Sequence, residues 1–283
     1  LVLAGGFDSF QTANRSQYFA LDEKGVTFIE KAIRYGNKFQ ESKNSAQVSL
    51  FGEASEVQFE EPEIPPCEPW NVMEKLSKEK EMIGIYISGH PLDDFKTEIQ
   101  YFCNARVDSL QNINQLEGKE LSFAGILSDV QHRVSKNGKP WGMFTFEDYS
   151  DTYEFRLFNE DYLKFRHFLI PNTFLYLKTV MRRAWQNGDV RVQITTIQQL
   201  QDVLSNMAKK ITLNLPIESI NENSVEQFDS VFKKHQGNQH LNFMIIDQKE
   251  KLKLNMPSRS AKINITKELL DELTENEWSF KLN

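Results

Sequence analysis

The chain has 283 residues, of which 40% are apolar and 26% charged, with a formal net charge of −7. That length holds two modest domains or three small ones, and the composition is that of a globular chain rather than a fibrous or disordered one. No run of about 18 apolar residues occurs, so no membrane-spanning helix is expected, and Cys67 and Cys103 supply neither a disulfide framework nor a metal-ligand spacing, so a reduced, cytoplasmic protein is the expectation.

The opening LVLAGGFDSF has neither an initiator Met nor the charged n-region of a signal peptide, and is expected to lie inside a longer chain. Asn14 is placed to cap a helix that starts at Arg15 and ends at Gly25. Thr27 and Glu30 form a capping-box pattern ahead of Phe28, Ile29, Ala32, Ile33 and Tyr35, which follow at helical spacing. Residues 1–43 therefore read as a helical N-terminal segment.

Residues 44–69 hold four of the nine prolines and six glutamates, the composition of a flexible linker. Between Gly36 and Trp70 two lysines stand against seven glutamates, so most of the net acidity lies here. From Lys119 to Arg191, by contrast, eleven Lys and Arg face nine Asp and Glu, and local patches matter more than total charge for nucleic-acid binding. Within the linker, Val48, Leu50 and Phe51 are out of place, because a disordered segment has no core to receive them.

Residues 70–117 read as a helical connector. Trp70, Met73, Leu76, Lys80, Ile83 and Tyr86 fall near one helical face, with Gly89 and Pro91 as the stop and a further short helix over 93–105. From 118 to 205 the period changes to two. A hairpin turns at Asn137-Gly138, TYEFRLFN forms a third strand, DYLKFRHFL a short helix, and two more strands meet at Asn187-Gly188. The order β-β-β-α-β-β is that of an OB fold, which binds oligonucleotides across strands 2 and 3 and the two hairpin loops. Residues 206–283 alternate strand, helix, two strands, helix and a short last strand, a small α+β domain. The expected fold class is α+β and multidomain: a helical N-terminal segment, an OB-fold β-barrel and a small C-terminal α+β domain.

The candidate nucleic-acid contacts follow from the strands. Arg133, Lys136 and Lys139 lie on or beside the first hairpin, where they can track phosphates, and Trp141 is a stacking platform. Phe144 and Phe146 share one strand face and are expected in the core. Arg156 and Phe158 share the face opposite Phe155 and Leu157, and Arg182, Arg183 and Trp185 sit by the second hairpin. Each of these has the alternative of a plain solvated face. Glu147, Asp148 and Asp151 lie close by, so DNA affinity should be weak and salt-sensitive. Arg15, with the amides near Gly5 and Gly6, could face duplex phosphates. No paired carboxylates or His/Cys clusters stand at catalytic or metal-ligand spacing: His90 reads as part of a turn, and His132, His167, His235 and His240 are scattered. No catalytic residue, metal site or cofactor is expected in this chain.

Three stretches carry a family resemblance. EKEMIGIYISGHPLDDF, residues 79–95, closely resembles a segment of the alpha subunit of bacterial DNA polymerase III that lies between the polymerase core and the OB domain. LVLAGGFDSF resembles the L-x-x-A-G-A-F-D stretch that closes that family's helix-hairpin-helix region, with Gly6 where Ala is usual. AGILSDVQHRVSKNGKPWGMFTFED, residues 124–148, resembles the start of its OB domain, and the three occur in the family's order. The resemblance implies that QVSLF hooks the sliding clamp, the beta subunit, with Gln47 orienting, Ser49 between, and Leu50 and Phe51 as anchors. It implies single-stranded and primer-template DNA as partners, and, by position alone, a C-terminal domain that docks the tau subunit of the clamp loader. The family's metal-binding acidic residues lie upstream, so Mg2+ would serve the parent polymerase and not this stretch. The alternative is a free-standing OB-fold adaptor for RNA or tRNA, since class II tRNA synthetases carry similar modules.

Overall fold

The computed structural model describes residues 1–48, 60–183 and 188–283, the side chains of 43–48 excepted. The chain divides into two compact units, Leu1–Pro91 and Leu92–Asn283.

In the first unit, two single 3-10 turns, Val2–Ala4 and Asp8–Phe10, precede α1 (Arg15–Phe19). Asn14 caps α1 as expected: its side chain accepts from the Gln17 amide at 3.1 Å, and the Gln17 side chain accepts from the Asn14 amide at 2.9 Å. The helix ends at Phe19 rather than Gly25, because the chain from Leu21 to Thr27 closes a small turn whose ends form a β-bridge. The Thr27–Glu30 capping box is formed in both directions and opens α2 (Phe28–Val48). Thus α2 runs through Asn44–Val48, which the sequence assigns to the linker.

The helix α3 (Val72–Ile83) is capped by Asn71 and stops at Gly84. Gly84 takes φ +82° and donates its amide to the Lys80 carbonyl at 2.8 Å, a left-handed cap that favours glycine. Gly89, the stop expected from sequence, is not used. The chain instead turns back at Gly84, and the amides of Ile87 and Ser88 each donate to the Glu79 carboxylate at 2.9 Å.

The second unit begins within a 3-10 turn, Pro91–Phe95, and continues with α4 (Lys96–Phe102) and a kinked 3-10 stretch, Val107–Leu116. Five strands follow: β1 (Glu120–Val134), β2 (Pro140–Glu147), β3 (Thr152–Phe158), β4 (Phe174–Arg183) and β5 (Val190–Gln199), with α5 (Asn159–Phe165) between β3 and β4. Their order in the sheet is β3-β2-β1-β4-β5. This is the strand order of an OB fold, left without hydrogen-bonded closure between β3 and β5. β1 is long enough to serve two partners. Its first half pairs with β4 and its second with β2, and a register shift between Leu127 and Asp129 bends it between them. Gly125 sits at that crowded bend, where an added Cβ would lie 2.4 Å from the Glu147 carbonyl oxygen.

Alternation sends Phe123, Phe144, Phe146, Phe155, Leu157, Leu175 and Leu177 into one core. On the opposite face of the same strands, Ala124 and Tyr176 join a second core, together with Phe102 of α4 and the C-terminal sheet. Ser122 Oγ and the Tyr176 hydroxyl both donate to the Phe102 carbonyl, at 2.9 and 3.1 Å, and tie α4 to β1 and β4.

After a short helix α6 (Val203–Met207) come β6 (Lys210–Pro216), α7 (Glu222–Lys234), β7 (Gln236–Asp247), β8 (Leu252–Ile263), α8 (Lys267–Glu275) and β9 (Ser279–Leu282). These strands form a second sheet in the order β8-β7-β6-β9. Only the β6–β7 pair is parallel, as a strand-helix-strand crossover through α7 requires. The α+β class expected from sequence is observed.

Candidate nucleic-acid interface

The register of the first three strands brings together residues that lie far apart in sequence. Arg133 of β1, Trp141 of β2 and Phe158 of β3 are direct cross-strand neighbours. Trp141 and Phe158 stack with ring centroids 5.7 Å apart and planes 22° from parallel. The Arg133 guanidinium lies 5.6 Å from the Trp141 ring centroid. Cation, indole and phenyl form a continuous ladder, and Phe158 is 53% exposed at its end. An exposed aromatic of this kind is a platform on which a nucleobase can stack, and an arginine beside it meets a phosphate.

The next rung of the same face is Gln131, Met143 and Arg156, and the one after it Asp129, Thr145 and Glu154. The face therefore grades from cationic and aromatic near the β1–β2 hairpin to acidic at its other end. Lys136 and Lys139 project from the hairpin turn at the cationic end, both exposed. The turn is held by the Gly138 amide on the Ser135 carbonyl at 2.9 Å and by the Lys139 amide on Ser135 Oγ at 3.1 Å. On the opposite face of these strands, Phe144 and Phe146 are buried as expected. There His132 Nδ1 lies 3.0 Å from the Tyr162 hydroxyl, a structural contact.

The other arginines differ in how far they are already engaged. Arg156 donates from Nε and Nη2 to Glu154 Oε1 at 2.9 and 2.6 Å. Arg183 donates from Nε to Glu117 at 2.8 Å, and the pair shifts both groups: the hydrogen bond lowers the Glu117 pKa and raises that of Arg183. Arg183 is thus a latch between β4 and the segment before β1 rather than a free anion contact, a role its sequence position did not reveal. Arg182 faces Arg191 across the β4–β5 ladder. Nothing local in the sequence marks Arg191; its place opposite Arg182 follows from the strand register.

Arg15 is also reassigned. It is 7% exposed and donates to Asp8 at 2.7 Å, to Glu79 at 2.6 Å, to the Leu3 carbonyl at 3.2 Å and to Ser88 Oγ at 3.3 Å. It is a structural hub and does not face solvent phosphates. Burial pushes the Glu79 carboxyl up, but hydrogen bonds from Ser88, Arg15 and the Ile87 amide outweigh it, and its pKa is about 2. Trp185 and the linker residues Ser49, Leu50 and Phe51 lie outside the described residues, as does the side chain of Gln47, whose backbone belongs to the end of α2. Among the described residues no group of three or more His, Cys, Asp and Glu is placed to hold a metal ion, and no helix is long and apolar enough to cross a membrane.

Residues 211–283 match the family described as DNA polymerase III alpha subunit, C-terminal domain. The DNA polymerase III subunit alpha of Saccharopolyspora erythraea is 30% identical over 185 residues, covering 63% of this chain and 15% of that protein. The corresponding subunit of Escherichia coli O157:H7 is 21% identical over 262 residues, covering 89% of this chain and 21% of that protein. The chain thus spans about a fifth or less of the length of these two relatives. Among solved structures, the mitochondrial single-stranded DNA binding protein Rim1 of S. cerevisiae aligns with 30% of this chain and 97% of its own, at 14% identity and a TM-score of 0.24. The resemblance carried by the three sequence stretches, to the C-terminal part of DNA polymerase III alpha subunits, is met by these comparisons.

Proposed function

From the likeness to the C-terminal part of DNA polymerase III alpha subunits, we infer that this chain is a non-catalytic, DNA-binding and partner-docking region of a replicative polymerase subunit acting in the cytoplasm. The observation that carries the reading is the ladder of Arg133, Trp141 and Phe158 on the outer face of β1, β2 and β3. Single-stranded template lies across that face, with a base stacked on Phe158 and phosphates on Arg133, Lys136 and Lys139. Arg182 supplies a further contact at the second hairpin, joined there by Trp185. Arg156 joins when its pairing with Glu154 opens. The first 43 residues end a helix-hairpin-helix region. Gln47, Ser49, Leu50 and Phe51 hook the sliding clamp, and the sheet of β6 to β9 with its helices docks the clamp-loader tau subunit. Each base stacked on an aromatic contributes about 1–3 kcal/mol, roughly 5- to 150-fold in affinity.

The test is fluorescence anisotropy of labelled oligothymidine with the 283-residue chain and with Trp141→Ala/Phe158→Ala. The double variant is expected to weaken binding by at least fivefold. Equal affinity would remove the ladder from the interface, and a strong preference for tRNA over single-stranded DNA would favour an RNA adaptor instead.

A further inference from the structure

The second sheet ends on one side at β8, which pairs with β7 and with no other strand among the described residues. A free strand edge presents unpaired amides and carbonyls, and proteins shorten, cover or bulge such edges to keep other chains off. From Leu252 to Pro257 this edge keeps an unbroken register with β7, and the register shifts only beyond it. Leu252, Leu254 and Met256 alternate along it on the face that carries Phe243, whose ring meets Phe228 and Phe232 of α7. The row itself lies open: the three side chains are 64%, 57% and 46% exposed. The charge along the strand is one-sided as well. Residues from Lys251 to Ile263 include Lys251, Lys253, Arg259 and Lys262 and no carboxylate, in a chain whose net charge is −7. All four cations are exposed, and none forms an ion pair among the described residues, whereas Lys249 in the preceding turn lies 3.8 Å from Glu218.

A free edge, an open aliphatic row and unpaired cations fit one occupant, an extended segment in which aliphatic and acidic residues alternate. We propose that the β8 edge at Leu252–Pro257 docks such a segment of a partner protein by strand addition. The partner's aliphatic side chains extend the row of Leu252, Leu254 and Met256, and its carboxylates meet Lys253 on the opposite face and Lys251 at the turn. This rests on the reading of the β6–β9 sheet as a docking module, and it names the docking edge and the chemistry of what docks. A second copy of this chain does not fit, because β8 paired with its own copy sets cations against cations with no carboxylate on either strand. Nucleic acid would engage the lysines but leave the aliphatic row and the backbone edge in water, and β8 offers no aromatic ring for a base. Main-chain hydrogen bonds supply the attachment, and the alternation of side chains selects the partner.

The probe is a fluorescent peptide of alternating Glu and Val, about eight residues long and so able to run the length of the edge. Its companion has Lys in place of Glu. Anisotropy is measured with the wild-type chain, with Lys251→Glu/Lys253→Glu and with Leu252→Ser/Leu254→Ser. All four side chains are exposed, so the urea midpoints of both variants are expected to match the wild type. The Glu-Val peptide is expected to bind the wild type, to weaken as salt rises, and to lose at least about fivefold in affinity for either variant. The Lys-Val peptide is expected to prefer Lys251→Glu/Lys253→Glu, and amide exchange is expected to slow at Leu252–Met256 in the wild-type complex with Glu-Val. Protection of β8 by oligothymidine instead of the peptide would give the edge to nucleic acid, and protection that grows with protein concentration alone would give it to a second copy; either overturns the proposal. Capture of the tau subunit by the immobilised wild-type chain is measured alongside. Tau captured while the Glu-Val peptide fails to bind, or binds all three chains alike, would overturn the edge and leave the docking module standing. No capture of tau by the wild type would overturn the reading on which the edge rests, and the edge with it.

Discussion

Arg15 in the first unit and Arg133 in the second are the same residue type put to opposite use. Arg15 is buried and donates to two carboxylates, a carbonyl and a hydroxyl. Arg133 is exposed, lies over an indole ring, and donates from Nη2 to the neutral Gln131 side chain. The difference teaches how to separate structural from interface cations. A guanidinium whose donors are filled by the protein is part of the fold, whereas one placed beside an aromatic without a carboxylate retains capacity for a phosphate. By that criterion Arg183 and Arg156, each paired with a carboxylate, belong to the fold, and Arg133 keeps donors for a phosphate.

The sharpest way to break the comparison is to remove Arg15. Arg15→Met leaves Glu79 buried without its countercharge, which costs about 3–5 kcal/mol in comparable pairs. Urea denaturation should show early unfolding of the first unit, while oligonucleotide affinity stays within twofold of the wild type. The same network sets an acid limit. The folded pKa of Glu79 is about 2 against an ordinary value of 4.5. Because the folded value is the lower one, the stability Glu79 contributes is complete above pH 4.5 and is lost as pH falls through about 2. Glu79→Gln should flatten the pH dependence of stability across that window. A smaller effect is expected at Arg183, whose ion pair with Glu117 is surface-exposed and of the kind that contributes little. Arg183→Gln should leave both the urea midpoint and the salt slope of DNA binding close to wild type, and a clear drop in slope would move Arg183 into the interface.

Local signals were legible in the sequence. Asn14, Thr27 and Glu30 cap helices through contacts three residues away, and a spacing that short can be read directly. Strand alternation likewise separated Phe144 and Phe146 from Arg156 and Phe158, because one face of a half-buried sheet must be apolar. What could not be read depends on partners distant in sequence. Gly84 and Gly89 are equally good helix stops in isolation. The choice is made by Glu79, which gathers the Ile87 and Ser88 amides and the Arg15 guanidinium. The role of Arg183 depends on Glu117, 66 residues away. The stacking of Trp141 on Phe158 depends on the β2–β3 register, which fixes which exposed aromatics meet. The helix α2 also continues past the residue where composition turns linker-like, since Ser, Gln and Asn lower helix propensity only slightly.

The central claim is that single-stranded DNA lies on the outer face of β1, β2 and β3 and reaches the second hairpin at Arg182. Amide hydrogen exchange of the whole chain, with and without saturating oligothymidine, tests it most directly. The account predicts slowed exchange confined to Gln131–Trp141, Arg156–Phe158 and the second hairpin at Arg182, with Leu1–Pro91 unchanged. Saturated binding without protection in β2 and β3, or protection concentrated in the first unit, would contradict it.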